Sequence, residues 1–209
     1  MANIAAAGAP LARARAAAIL LHGRGASAED ILSLAGEFGQ DDIAYLAPQA
    51  PGGSWYPYSF LAPLAQNEPH LTQALAAVGA LVDRLAREGY AAARVALIGF
   101  SQGGCLALEY VARNAKRYGA VAGLSAGLIG PPGTPRDYPG SLAGTPVFLG
   151  CSDIDSHIPL ARVHESRDVL AKMGAAVTER IYPAMGHTVN TDEIAHVAKL
   201  LAGIHNPQA

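Results

Sequence analysis

Gly99-Phe100-Ser101-Gln102-Gly103 joins two unlike stretches of chain. Before it, Arg94-Val95-Ala96-Leu97-Ile98 is apolar and β-branched, as a buried strand would be. After it, Cys105-Leu106-Ala107-Leu108-Glu109-Tyr110-Val111 is apolar with helical periodicity. Strand, sharp turn and helix are the setting in which the serine of a G-x-S-x-G motif acts as a nucleophile. The chemistry explains the glycines: the serine needs a strained backbone that lifts its hydroxyl clear of the sheet. Side chains at Gly99 and Gly103 would keep strand and helix apart. A helix-capping serine in a Gly-rich turn is the plain alternative. The flanking pattern and the residues downstream favour the nucleophile.

Outward from this turn, strands and helices alternate, which predicts an α/β fold with a mostly parallel sheet. Strands are expected at Ala16 to Leu21, Ile43 to Leu46, Ala120 to Leu124, Pro146 to Leu149 and Val177 to Tyr182. Ser27 can cap a helix to about Phe38, with Glu29 and Asp30 favourable in its first turn. A long helix from about Leu71 to Glu88 shows apolar residues at Leu71, Leu75, Val78, Val82 and Leu85. Another runs from about Leu160 to Met173 and stops at Gly174. Thr191 can cap the last, which reaches about Leu201. The Pro/Gly-rich stretches Ala47 to Pro69 and Gly130 to Gly144 are too short for interdomain linkers and suit loops that shape a pocket. One domain over residues 1–209 is expected.

Composition narrows the function classes. A net charge of -2 with 15 scattered Lys and Arg predicts no nucleic-acid partner. Cys105 and Cys151 are too few for a disulfide framework and read as small, buried, reduced residues. Residues 1–10 lack the charged start and apolar core of a signal peptide, and no run suits a membrane span. A soluble cytoplasmic protein is the expectation. The histidines lack metal-ligand spacing, and Gly23 and Gly25 do not complete a dinucleotide fingerprint. No metal and no cofactor are expected.

A serine hydroxyl needs a base, and the base needs an orienting carboxylate. On this fold the expected chain order is Ser, acid, His. Of the histidines after the last strand, His196 and His205 fall within or beyond the final helix, whereas His187 sits in the loop before it. His187 is therefore the expected base. The acid should follow the strand at Pro146 to Leu149, where Asp153 and Asp155 compete and spacing does not choose between them. The other aspartate would bond backbone N–H groups of the loop. His157 reads as a pocket-rim or structural histidine. Two backbone N–H groups are expected to receive an oxyanion: Gln102, at a helix N-terminus, and Arg24, in His22-Gly23-Arg24-Gly25 after the early strand. The Arg24 side chain could meet an anionic substrate group or point to solvent.

Taken together, these residues resemble the phospholipase/carboxylesterase family of small α/β-hydrolases, which includes acyl-protein thioesterases. The resemblance rests on Leu20-Leu21-His22-Gly23-Arg24-Gly25, Gly99-Phe100-Ser101-Gln102-Gly103-Gly104, Asp153-Ile154-Asp155-Ser156-His157-Ile158-Pro159 and Met185-Gly186-His187-Thr188. It implies an α/β-hydrolase fold with helices on both sheet faces and no large lid domain. In the family the acid lies in a D-x-x-V-P pattern, so the resemblance selects Asp155, with Ile158 in place of Val. Two departures stand out. Better-known thioesterase and lysophospholipase members carry Leu where this chain has Arg24, and His-Gly where it has Cys151-Ser152. The chain thus looks like a bacterial carboxylesterase branch.

The expected function is a serine carboxylesterase acting on small-molecule esters through Ser101, His187 and Asp155. Lysophospholipase or acyl-protein thioesterase activity is the alternative within the class. A non-catalytic ligand-binding scaffold, or C–C hydrolysis or perhydrolysis on the same residues, are alternatives outside it. The aromatic loop Pro48 to Leu61 holds the single Trp, and Trp55, Tyr56 and Phe60 are expected to wall the pocket or else to pin the loop. The apolar, Ala-rich helices could serve a core or a homodimer interface.

Overall fold

A computed structural model describes residues 3–205. The elements are β1 (Ile4–Gly8), β2 (Ala16–Leu21), α1 (Ala28–Glu37), β3 (Ile43–Pro48), α2 (Leu64–Asn67), α3 (His70–Arg87), β4 (Val95–Phe100), α4 (Gln102–Arg113), β5 (Ala120–Leu124), β6 (Pro146–Ser152), α5 (Leu160–Lys172), β7 (Ala176–Tyr182) and α6 (Thr191–Ala202). The seven strands form one sheet in the order β1-β3-β2-β4-β5-β6-β7. Every neighbouring pair is parallel except β1 with β3. Among the described residues no helix is long and apolar enough to cross a membrane.

The sheet is covered on both faces, which is why its central strands read as continuous apolar runs. Along β2, Ala17, Ile19 and Leu21 join one core with Leu71 and Val78 of α3, Leu106 of α4 and Val163 of α5. The intervening Ala16, Ala18 and Leu20 join a second core with Ile31 of α1 and Val197 and Leu201 of α6. Period-two alternation thus sorts one strand's side chains into two layers.

Several elements differ from the sequence reading or extend it. β1 has no counterpart in that reading, because Ile4-Ala5-Ala6-Ala7-Gly8 carries almost no periodic signal. It pairs antiparallel with β3 from Ile4↔Pro48 to Gly8↔Ala44. β6 runs on to Ser152, three residues past Leu149, and carries the strand to the edge of the acid loop. The helix cap at α6 is Asn190, not Thr191. Its side chain accepts from the Glu193 N–H, and Glu193 accepts from the Asn190 N–H in return. Ser27 makes the matching reciprocal cap with Asp30 on α1. Cys105 and Cys151 are buried and unbridged.

Candidate active site

Ser101 sits at φ 54° and ψ -122°, between the last residue of β4 and the first of α4. A non-glycine residue held at positive φ stores about 1–3 kcal/mol of strain, which surrounding structure must maintain. The close approach requires glycine on both sides. A Cβ on Gly103 would lie 2.1 Å from the Leu21 carbonyl oxygen, and one on Gly99 would lie 2.4 Å from the Gly103 backbone. Ser101 makes no side-chain cap on α4. Its hydroxyl donates instead to His187 Nε2 at 2.9 Å.

His187 stands in the loop between β7 and α6. Its Nδ1 donates to Asp155 Oδ2 at 2.8 Å. The other oxygen, Oδ1, accepts from the backbone N–H groups of His157 at 2.8 Å and Ile158 at 3.0 Å. The Asp155 side chain is fully buried. Burial pushes its carboxyl up, but the bonds from His187, His157 and Ile158 prevail and hold it below the ordinary aspartate value. Asp153 does not reach His187. Its Oδ1 accepts from Ala184 N–H at 2.8 Å, and Ser152 Oγ accepts from Gly186 N–H at 3.0 Å. The two acidic-loop residues therefore pin the backbone on which His187 rides. The Phe100 ring lies against His187 with centroids 4.9 Å apart, and the His157 ring meets it edge-on at 4.7 Å.

Gln102 opens α4, so its N–H has no acceptor within the helix. The Arg24 N–H, in the turn after β2, bonds to no other described residue. The side chains of these two residues hold the aromatic loop. Gln102 Oε1 accepts from Trp55 N–H at 2.9 Å, and its Nε2 donates to the Tyr56 carbonyl at 2.8 Å. The Arg24 guanidinium donates to Ser54 Oγ at 3.0 Å and to the carbonyls of Pro57 at 2.8 Å and Tyr58 at 2.6 Å. Arg24 is exposed, but its guanidinium is committed to these three acceptors and is not free for an anion; it is the loop's clamp.

A cavity of about 700 Å³ opens over Ser101 and is lined by Tyr56, Phe60, Cys105 and Ile158 among others. Trp55 is absent from its wall, and of the two readings offered for that residue its contacts fit the one in which it pins the loop. Its indole N–H donates to the His22 carbonyl at 2.9 Å, its ring packs on the His22 ring, and it is 4 % exposed. His22 Nε2 in turn accepts from Ala50 N–H, so its Nδ1 carries the proton. The Tyr56 hydroxyl is buried without a hydrogen-bond partner among the described residues. Burial pushes the Cys105 thiol up to about 12, so it stays protonated beside the cavity.

Sequence reasoning passed over two features of this site. The Cys151 thiol reaches Asp155, and the Phe100 ring packs at a tilt against His187. The variable x of G-x-S-x-G could have drawn attention to Phe100; nothing local points to Cys151.

A parallel-rich sheet carrying a strained serine at a strand-to-helix turn, a histidine in the last loop and an acid after the sixth strand defines an α/β-hydrolase-type protein. Within that class the chain belongs to the phospholipase/carboxylesterase family, whose model matches residues 2–205, and it is a hydrolase of that family. The crystal structure of a phospholipase/carboxylesterase from Dyadobacter fermentans superposes with a TM-score of 0.93 at 44% identity, covering 97% of each chain. Carboxylesterase SOBER1 of Arabidopsis thaliana is 24% identical over 88% of each sequence. Acyl-protein thioesterase 1 of Gibberella zeae is 28% identical over 58% of this chain and 52% of its own.

Proposed function

We propose that the protein is a serine carboxylesterase that hydrolyses small esters through an acyl-enzyme on Ser101. The observation that carries this reading is the unbroken hydrogen-bond line from Ser101 Oγ through His187 to buried Asp155. His187 takes the Ser101 proton at Nε2 as Oγ attacks the ester carbonyl. Asp155 fixes the Nδ1–H tautomer and stabilises the imidazolium that forms. The N–H groups of Gln102 and Arg24 receive the oxyanion, and the N-terminus of α4 favours the developing charge. His187 then gives its proton to the leaving alcohol and later activates water to clear the acyl group.

The cavity over Ser101, open and walled by Tyr56 and Phe60, suits modest acyl groups. A second reading, thioester hydrolysis, draws on the likeness to acyl-protein thioesterase 1. The testing experiment is hydrolysis of p-nitrophenyl esters of increasing acyl length, with matched thioesters and Ser101→Ala as control. A short-chain ester optimum that the substitution abolishes is the expected result. A long-chain or thioester optimum favours the second reading. Equal activity in the variant, or none at any length, overturns the proposal.

A further inference from the structure

A second cavity, of about 440 Å³, lies between α1 and the His187 loop. It shares Gly23, Ala26, Phe100 and His187 with the cavity over Ser101, so the two meet at His187. Ser101 and Gln102 line only the first. We infer that this second cavity receives the alcohol portion of the ester, and that the alcohol it takes is uncharged and apolar. The inference rests on the carboxylesterase reading above.

The assignment follows from the direction of proton transfer. The tetrahedral carbon is bonded to Ser101 Oγ, its oxyanion faces the Gln102 and Arg24 N–H groups, and its acyl chain occupies the cavity those groups line. The leaving oxygen must take its proton from His187 Nε2, so it sits on the histidine's side. The space beyond His187 that contains neither the nucleophile nor Gln102 is the second cavity. Its chemistry sets the alcohol class. Ile31 and Leu34 project from one face of α1, three residues apart, opposite Val189 and Phe100. Asp30 is the acidic residue at its edge, with one carboxylate oxygen already engaged by Ser27 N–H at 2.8 Å. A phosphate-bearing alcohol would meet this charge and find no cation in the lining.

The test separates the two halves of the ester. Alkyl acetates from methyl to hexyl hold the acyl group and the leaving-group acidity nearly constant while the alcohol lengthens. The expected hexyl-to-methyl ratio of kcat/KM in the wild type is about 10 or more, and Leu34→Trp, which fills the groove, lowers it about 10-fold. The acyl-length ratio on methyl esters moves less than about twofold, the scale of an indirect effect. A second readout does not depend on how much variant folds. With p-nitrophenyl acetate and added 1-hexanol, the acetyl–Ser101 bond breaks and an acetyl–oxygen bond to hexanol forms. The hexanol proton passes through His187 to Ser101 Oγ, giving hexyl acetate in competition with acetate. Leu34→Trp lowers that product ratio, and Leu34→Ala raises it for a bulkier acceptor such as cyclohexylmethanol. An unchanged alcohol ratio and product ratio in both variants overturns the inference alone, as does a shift confined to the acyl series. Absence of any ester hydrolysis by the wild type overturns the carboxylesterase reading and this inference with it.

Discussion

The Cys151 thiol lies 3.7 Å from Asp155 Oδ2, the same oxygen that accepts from His187 Nδ1. Burial, with the Asp155 charge adding to it, pushes the thiol up to about 12, so it remains a proton donor throughout the working range. A weak donor on that oxygen withdraws electron density from the carboxylate facing His187. Removing it makes the carboxylate a better acceptor for the His187 N–H. In Cys151→Ala, kcat/KM on a short-chain ester is expected to rise about threefold, equivalent to about 0.7 kcal/mol. Cys151→Ser restores a donor and returns the value to that of the wild type. Steady-state kinetics of the three proteins check this, and identical values in all three would count against a role for the thiol.

Asp155 and Asp153 divide two tasks that the sequence places two residues apart. Asp155→Asn removes the charge that fixes the His187 tautomer and is expected to lower kcat by about 10⁴. Asp153→Asn weakens the bond to Ala184 N–H and leaves His187 its partner, so its cost is expected to stay within about 10-fold. Ester hydrolysis by the two variants, with folding verified by circular dichroism, distinguishes them. Equal losses would merge the two roles.

What the sequence discloses and what it hides follow a physical division. The elbow is legible because close approach of strand and helix demands glycines at fixed offsets from Ser101. The placement of His187 in the last loop follows from chain order, since His196 and His205 fall within or beyond a helix. The choice between Asp153 and Asp155 needs more than spacing, because both lie in one short loop and only the fold decides which faces the histidine. β1 is hidden because three alanines fit any backbone, and its pairing comes from an edge of β3 that local pattern does not advertise. Asn190 displaces Thr191 as cap because a buried Glu193 can answer it three residues later. Arg24 is opaque for another reason: its partners are a hydroxyl and two carbonyls of a loop thirty or more residues away.

Trp55 illustrates that last point and carries a stability prediction. The indole is buried, bonded to the His22 carbonyl and packed on the His22 ring, away from the cavity wall. Trp55→Ala is therefore expected to destabilise the fold by about 3–5 kcal/mol and to change acyl preference only through loosening of Tyr56. Chemical denaturation measures the first, and the p-nitrophenyl ester series measures the second. A stable variant with altered preference would restore Trp55 to the pocket.

Arg24 clamps the loop by bonds to Ser54, Pro57 and Tyr58, and its own N–H is one of the two proposed oxyanion donors. Loss of the guanidinium frees the wall formed by Tyr56 and Phe60 and slackens the turn that holds that N–H. Arg24→Ala is expected to lower kcat/KM about 10-fold, the scale of one or two hydrogen bonds from a charged group. Arg24→Lys should rescue little, because a single ammonium cannot span the three acceptors. Steady-state kinetics on a short-chain ester would show this, and full activity in the lysine variant would reduce the clamp to a charge.

Glu193 ties the end of the His187 loop to α6, and its Oε1 is buried without a partner among the described residues. Burial pushes its carboxyl from 4.5 up to about 7; the Asn190 N–H opposes the rise and the Asp192 charge adds to it. Below about pH 4.5 the folded and unfolded chains both hold this proton, and the full contribution to stability is present. Between about 4.5 and 7 the unfolded chain has released it while the folded chain retains it, so stability falls as pH rises. The accumulated loss is about 3 kcal/mol at pH values above 7. Glu193→Gln is neutral at every pH and keeps an oxygen for the Asn190 N–H. Its Tm is expected to decline less than that of the wild type from pH 5 to 8 and to exceed it at pH 8. Thermal melts across that range supply the comparison. Parallel curves for the two proteins would mean that Glu193 is already ionised in the folded state at pH 5.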